Sequence, residues 1–313
     1  MVSILLIIGF IKGRAYLVPV IGVVLLNWHE DELTRNCLNS LRQQGHVKVE
    51  VVLIENESQG TNSSEEMEGV RVIHNERNLG FSKAVNQGLR LLAASKPDAF
   101  LLLNNDVLLE TRDTLSILYA RLAGEPLAGA VAPHVVCMDK PDNLLHTWGL
   151  RNWLLAADWT GSGKRVTEVA EACEADMLNA ACLLIRPKAL SQVGLWDEAY
   201  FIYYDDMDWT WRAHCEGWKL IYEPGCRVRH AGSYTMKKRP SFSEYNLTKG
   251  RMIFMRRHGT LWQWPGFALG LTLTLLKPAI SDLLRFRKPD KSFLRLTAYL
   301  DGWRLRLPPV ARL

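Results

Sequence analysis

Three short, predominantly hydrophobic runs, each stopping abruptly on polar side chains, constrain this chain more than any other feature. The first runs from Pro19 to Leu26 (PVIGVVLL) before Asn27, and the second from Val49 to Ile54 before Glu55-Asn56. The third runs from Ala99 to Leu103 before Asn104-Asn105-Asp106. Runs that are apolar on both faces read as strands buried in a parallel sheet under helices on either side. Between them, Leu33, Cys37, Leu38 and Leu41 fall at helical spacing from Asp31 to Gln44, and Gly45 ends the segment. Val70 to Ile73 reads as another short strand, and Phe81 to Ala94 as a second helix. This β-α-β-β-α-β alternation predicts an α/β fold with a doubly wound mixed sheet, its ligands beyond the carboxyl ends of the strands. The first strand is followed by no Gly-x-Gly-x-x-Gly and no Gly-Lys-Ser/Thr loop, which argues against a dinucleotide-binding domain and a P-loop NTPase.

Beyond this region the pattern loosens. Residues from Leu127 to Ala175 read as irregular, with Trp148, Trp153 and Trp159 among polar residues. Order resumes with a strand from Cys182 to Arg186 and a helix starting at Pro187. An aromatic loop from Trp196 to Tyr204 leads into a helix from Asp205 to about Glu216. A strand from Lys219 to Tyr222 and a segment from Cys226 to His230 follow, and beyond about Tyr245 the chain reads as helical and basic.

Charge divides the chain further. The net +5 hides a segment, 227–313, with 18 Lys+Arg against only Glu244, Asp282, Asp290 and Asp301, while residues 1–226 are net negative. A basic segment of this kind meets an anionic partner or forms a solvated face. It also holds eighteen uncharged residues, Gly259 to Leu276, with Trp262 and Trp264 at one end and Arg256, Arg257 and Lys277 flanking them. Tryptophan at the edge of an apolar helix suits one lying among lipid headgroups, the alternative being a helix packed on the protein. At the other terminus, the apolar residues from Val2 to Ile11 are too short to span a bilayer and lack a cleaved signal's pattern. A peripheral anchor and an extra strand stay open there. The expected organisation is therefore an apolar segment over 1–18, one α/β domain over 19–240 and a basic, membrane-associating helical extension over 241–313. Six cysteines without zinc-type spacing fit a reducing compartment, most simply the cytoplasm.

Three clusters can carry chemistry. Asp106, at the end of a buried strand, stands where a divalent cation and a phosphorylated ligand would meet, although Asn-Asn-Asp alone also makes a turn. Asp205, Asp206 and Asp208 crowd one helix start. The helix dipole and an i, i+4 pair between Asp208 and Arg212 explain such acids structurally, and a general base explains them functionally. His230 closes a strand-like segment, either as a structural residue or as a partner of Asp106 around a manganese-type ion.

The order of motifs is more specific than any one of them. Val23-Val-Leu-Leu-Asn27-Trp, Val51-Val-Leu-Ile-Glu-Asn56-Glu-Ser58, Asn75-Glu-Arg-Asn78-Leu-Gly80-Phe81 and Asn86-Gln-Gly88 come first. Leu103-Asn-Asn-Asp106, Ala181-Cys-Leu-Leu-Ile-Arg186, Gly194-Leu-Trp-Asp-Glu198, Tyr203-Tyr-Asp-Asp206-Met-Asp208, Gly217-Trp and Val228-Arg-His230 follow. Over about residues 20–235 the sequence resembles family 2 glycosyltransferases, most closely the rhamnosyltransferase-like branch that builds cell-surface polysaccharides.

The resemblance implies a GT-A fold and a nucleotide-diphosphate sugar donor. It implies that Asn27, Glu55, Asn56, Asn78, Gly80, Asn86, Asn105 and Asp106 lie around that donor. It implies further that Asp106 and His230 hold a divalent cation (Mn or Mg), and that Asp206, with Asp205 beside it, is the catalytic base. The implied reaction inverts the anomeric carbon and delivers the sugar, rhamnose first, to a lipid-linked saccharide acceptor. An anionic membrane surface at the inner face of the cell membrane, and no nucleic acid, completes the expected partners. Three positions depart from the pattern: Glu55 replaces the usual Asp, Asn104 replaces the first acid of a DxD motif, and Ala180 replaces a frequent Gly. A sugar-phosphate nucleotidyltransferase would need a basic, glycine-rich triphosphate loop that is missing near the first strand. A non-catalytic nucleotide-sugar or carbohydrate-binding protein at the membrane would not need Asp106, Asp206 and His230 intact.

Overall fold

The computed structural model describes residues 18–57, 69–145, 148–150, 158–159, 164–232, 239–284 and 290–313. The apolar N-terminal segment, Ser58 and Trp153 lie outside them. The first half follows the expected alternation: β1 Val20–Asn27, α1 Asp31–Arg42, β2 Lys48–Asn56, β3 Val70–Asn75, α2 Phe81–Ala93 and β4 Ala99–Asn104. Then come β5 Val107–Leu109, α3 Thr114–Gly124, β6 Ala128–Cys137, β7 Lys140–Leu144, β8 Trp148–Leu150 and β9 Asp158–Trp159. Strands β10 Cys173–Ala175, β11 Met177–Leu178 and β12 Cys182–Ile185 precede helices α4 Pro187–Val193 and α5 Asp205–Cys215 and strand β13 Lys219–His230. Three helices end the chain: α6 Pro240–His258, α7 Trp264–Leu284 and α8 Asp290–Arg304.

One mixed sheet dominates, in the order β10-β13-β6-β12-β4-β1-β2-β3. Strands β3, β2, β1 and β4 are mutually parallel, and the antiparallel β12 joins this half to β6 and β13. The strand order reverses between β1 and β4. In an open parallel sheet a crevice forms at that switch point, beyond the carboxyl ends of the strands, where Asn27 and the Asn104-Asn105-Asp106 turn stand.

Strand alternation sends side chains to two cores. Ile21, Val23, Leu25, Leu53 and Leu101 pack with α1 and α3 on one face. Val24, Val52, Ile54, Phe100 and Leu102 pack with α2, α4 and α5 on the other. Close approach of α2 to β1 requires Gly88, where a Cβ would come within 2.7 Å of Val24 Cγ1. A third core joins Tyr200, Tyr204 and Met207 to Ile253, Phe254, Phe267 and Tyr299, so the C-terminal helices are built onto the start of α5.

The middle of the chain corrects one expectation. Residues from Ala128 to Cys137, read as irregular, form a ten-residue strand at the heart of the sheet. Its sequence, AGAVAPHVVC, is small and lacks the bulky alternation that marks a strand. The small residues serve packing: a Cβ on Gly129 would lie 2.7 Å from the Trp218 side chain. Likewise β13 is one strand rather than two segments, with a register shift between Glu223 and Arg227 that absorbs Pro224-Gly225.

Candidate active site

Strand ends build the site in two halves. On the first, Asn27 and Glu55 are register partners across β1 and β2, and Asn27 Nδ2 donates to Glu55 Oε2 at 2.9 Å and to Asp31 Oδ1 at 2.8 Å. Asn27 Oδ1 accepts from Glu30 N and from Asn105 Nδ2 at 3.2 Å, and Asn105 Nδ2 also donates to Thr34 Oγ1. Glu55 is buried, and its Oε1 has no hydrogen-bond partner among the described residues. Burial raises its pKa, against the opposing hydrogen bond from Asn27. A buried acceptor left open beside a strand-end crevice is a place for a ligand N–H or O–H.

Asn56, Asn78 and Gly80 form the adjoining wall. Asn56 donates to Asn78 Oδ1 and the Gly80 carbonyl, and accepts from Asn75 Nδ2 and Leu79 N. Gly80 has φ +82°, and a Cβ there would lie 2.6 Å from the Phe201 carbonyl oxygen, which accepts the Phe81 N–H. Gly80→Ala is expected to destabilise the protein by more than about 1 kcal/mol in urea titration, because it adds both a strained φ and a clash; an unchanged midpoint would contradict this geometry. Asn86 is fully buried and exchanges hydrogen bonds with both backbone groups of Trp196 and with Glu198. Both polar atoms of its amide are thus taken up by the loop before α5, and Asn105 Nδ2 is shared between Asn27 Oδ1 and Thr34 Oγ1.

Strand pairing makes the second half. Antiparallel β5 and β13 set His230 opposite Val107, and Ala231 N donates to the Asp106 carbonyl. His230 Nε2 thereby stands 3.0 Å from Asp106 Oδ1, with both side chains about 10% exposed. A carboxylate oxygen and an imidazole nitrogen side by side suit a manganese-type ion. They are two donors only: among the described residues no group of three His, Cys, Asp or Glu side chains could enclose a metal. The missing acid of the DxD pattern is Asn104, whose Nδ2 lies 3.5 Å from the same His230 nitrogen.

The acidic helix start completes the arrangement. Asp206 Oδ2 accepts from Asn179 Nδ2 at 3.1 Å and from Ala180 N at 3.3 Å, and its Oδ1 accepts from Met207 N at 2.8 Å. Asp206 is partly exposed as a residue, yet desolvation of its carboxyl by the surrounding protein outweighs those bonds and raises its pKa to about 6. Asp205 is buried, and burial followed by the Asp206 charge drives its pKa well above the usual carboxylate range. Asp208 behaves oppositely. Burial works to raise its pKa, but Arg212 Nε at 2.8 Å and His258 Nε2 at 2.7 Å hold it below the usual value. The i, i+4 pair expected from the sequence is therefore real and belongs to the scaffold, whereas Asp206 makes no ion pair among the described residues. Asn104 N donates to the Ala181 carbonyl, so two links through β12's leading residues join the Asp106 turn to Asp206.

Tyr203 and Tyr204, directly before the acids, both have left-handed backbone, at φ +67° and +65°. Non-glycine residues persist there only where neighbours hold them. Arg251 Nε donates to the Tyr204 hydroxyl, and Gly250 lets α6 approach, since a Cβ would lie 3.1 Å from the Tyr203 carbonyl. Sequence reading missed Asn179, His258 and Arg251. Asn179 alone had a local signal, standing two residues ahead of the Ala181 motif.

Comparison with known proteins identifies the family and the fold. A family model described as "Glycosyltransferase like family 2" matches residues 19–254. The N-acetylglucosaminyl-diphospho-decaprenol L-rhamnosyltransferases of two Mycobacterium tuberculosis strains, CDC 1551 / Oshkosh and H37Rv, are each 25% identical over 271 residues. Those alignments cover 79% of this chain and 87% of each relative. Among solved structures, the mannosyltransferase PcManGT of Pyrobaculum calidifontis, in complex with GDP-Man and Mn2+, is similar at TM-score 0.57 and 16% identity, over 92% of this chain and 88% of that one. GalNAc-T7 with UDP, GalNAc and Mn2+ is similar at TM-score 0.58 and 14% identity, over 95% of this chain and 60% of that one. With the family pattern matched over most of its length and the fold shared with these enzymes, this chain belongs to glycosyltransferase family 2, as a GT-A-fold, rhamnosyltransferase-like glycosyltransferase.

Proposed function

We propose that this enzyme is an inverting glycosyltransferase that moves a sugar, rhamnose first among the candidates, from a nucleotide-diphosphate donor to a lipid-linked saccharide acceptor. The observation that carries the reading is Asp206. It is a partly exposed acid anchored by Asn179, Ala180 and Met207, with a pKa raised by burial to about 6, two links from the Asp106–His230 pair.

Such a carboxylate is ionised at neutral pH yet basic enough to take a proton. Asp206 would remove the proton from an acceptor hydroxyl as that oxygen attacks the anomeric carbon. The bond from this carbon to the diphosphate oxygen breaks on the opposite face, so a single displacement inverts the configuration and needs no covalent enzyme intermediate. Asn27 and the open Oε1 of Glu55 would face the nucleoside, and Asn56, Asn78 and Gly80 would wall its pocket. Asn86 would hold the loop before α5 in place, and Asn105 would orient Asn27 beside the donor. Asp106 and His230 would hold the divalent cation, Mn2+ or Mg2+. Bound there, it supplies positive charge to the diphosphate as negative charge develops on the leaving group.

The similarity to the M. tuberculosis rhamnosyltransferases makes dTDP-rhamnose the first donor to test, UDP-hexoses the next, and an N-acetylglucosaminyl-diphospho-lipid the first acceptor. With such an acceptor the enzyme would work at the inner face of the cell membrane, in cell-surface polysaccharide synthesis, with residues 241–313 as its membrane-associating part. The reading is tested by incubating the protein with a panel of nucleotide sugars and Mn2+ or Mg2+, with and without membrane lipid extract. Nucleoside diphosphate release should depend on the lipid extract, stop on chelation, and fall at least about tenfold in His230→Ala. Failure to bind any nucleotide sugar would end the proposal.

A further inference from the structure

Among the described residues, the C-terminal helices leave a large apolar surface exposed. On α7, Leu269, Leu273, Leu276, Ile280 and Leu283 are each half or more exposed. Their spacing of four, three, four and three residues places them in one row along the helix. On α8, Phe293, Leu296, Leu300 and Trp303 make a second row at spacings of three, four and three, with exposures from 41 to 64%. The helices run antiparallel and in contact: Trp264 meets Trp303 edge to face at 5.6 Å, and Ser292 Oγ donates to the Leu275 carbonyl. Rows of this kind on paired helices mark an interaction surface, unlike single scattered leucines.

Charge selects the occupant. Lys277, Arg304 and Arg306 are exposed on or next to these helices, in a segment with 18 Lys+Arg and four acids. Trp262, 89% exposed, stands at the entry to α7, at the edge of the apolar row. Apolar side chains bordered by cations and tryptophan match the boundary of an anionic phospholipid leaflet.

The same contacts decide between lying on the bilayer and crossing it. Leu261–Leu284 is long and apolar enough to span, with a mean hydropathy of 1.4. However, Arg295 donates to the carbonyl of Thr274, the midpoint of α7, and pairs with Glu244, which also binds Lys291 at 3.3 Å. A spanning α7 would carry this three-charge cluster to the centre of the hydrocarbon, at a cost of several kcal/mol. A helix lying flat keeps the cluster on the aqueous side.

We infer that α7 and α8 form a monotopic platform that docks the enzyme on an anionic leaflet without crossing it. This deepens the proposed lipid-linked reaction and rests on it only for its purpose; the binding itself stands on the exposed rows. The test uses the full chain with phosphatidylcholine vesicles with or without phosphatidylglycerol. The chain should sediment with the anionic vesicles, detach in high salt or alkaline carbonate, and lose about tenfold or more of its vesicle affinity in the Leu273→Glu/Ile280→Glu double variant. Nucleotide-sugar binding, measured on the same samples, should not change. Undiminished vesicle binding by the double variant would overturn the inference, as would retention after carbonate. A dimer in vesicle-free solution that the same substitutions dissociate would assign the surface to a second copy instead. Loss of nucleotide-sugar binding in the wild type would instead strike the transferase reading and leave the platform standing.

Discussion

Asp206→Asn should lower sugar transfer by about three orders of magnitude, within the ~10²–10⁴-fold range for a lost general base, while leaving nucleotide-sugar affinity intact. Asparagine keeps the shape of the side chain and can still accept from Met207 N, but it cannot take a proton from an acceptor hydroxyl. The pH dependence gives a second reading of the same group. Burial lifts the Asp206 pKa to about 6, so wild-type transfer should fall as the pH drops through that value and the carboxylate protonates. The stability sign is opposite. Because the folded-state pKa is raised, the native protein binds more protons than the unfolded chain between about pH 4 and 6, and this group favours folding more as the pH falls across that window. Steady-state rates and donor titrations of both proteins would check the prediction. Near wild-type turnover in the variant would remove Asp206 from the role of base.

The second large effect belongs to stability. Arg212→Ala should destabilise the protein by about 3–5 kcal/mol at neutral pH, the usual consequence of stranding one member of a buried ion pair. Asp208 is fully buried, and Arg212 binds it while also donating to the carbonyls of Val193 and Leu195. Since Asp208 has a depressed folded-state pKa, its pairing stabilises the protein above the ordinary carboxylate pKa, and this is lost as the pH falls through the folded value. The deficit in Arg212→Ala should therefore be largest near neutral pH and shrink in acid, where Asp208 protonates. Urea titrations at both pH values read this directly. A loss below about 1 kcal/mol that ignores pH would show that His258 and the Tyr200 hydroxyl suffice to satisfy Asp208.

Much of the fold could be read locally, because β1, β2 and β4 are buried on both faces and carry that fact as apolar runs ending in polar residues. Strand β6 could not. It holds the centre of the sheet with alanine, glycine and proline, whose fitness lies in what packs against them, Trp218 above all. Motif order placed Asp106, His230 and Asp206 in one family pattern, yet the contact between Asp106 and His230 exists only through the pairing of β5 with β13 across more than a hundred residues of sequence. Roles were harder to read than positions. Asn86 stands where the motif puts it, but its amide is consumed by Trp196 and Glu198, which no spacing reveals. The clamp on α5 was hidden for a related reason. His258 and Arg251 come from a helix that composition marks only as basic, while packing brings them onto Asp208 and Tyr204.

The most direct measurement is single-turnover transfer from dTDP-rhamnose, or from whichever nucleotide sugar the panel selects, to an N-acetylglucosaminyl-diphospho-lipid, with the anomeric configuration of the product read by NMR. Transfer that requires the lipid acceptor, releases one nucleoside diphosphate per sugar moved and inverts the anomeric centre is the predicted result. A product with retained configuration, or nucleotide release with no sugar on the acceptor, would contradict a direct displacement driven by Asp206.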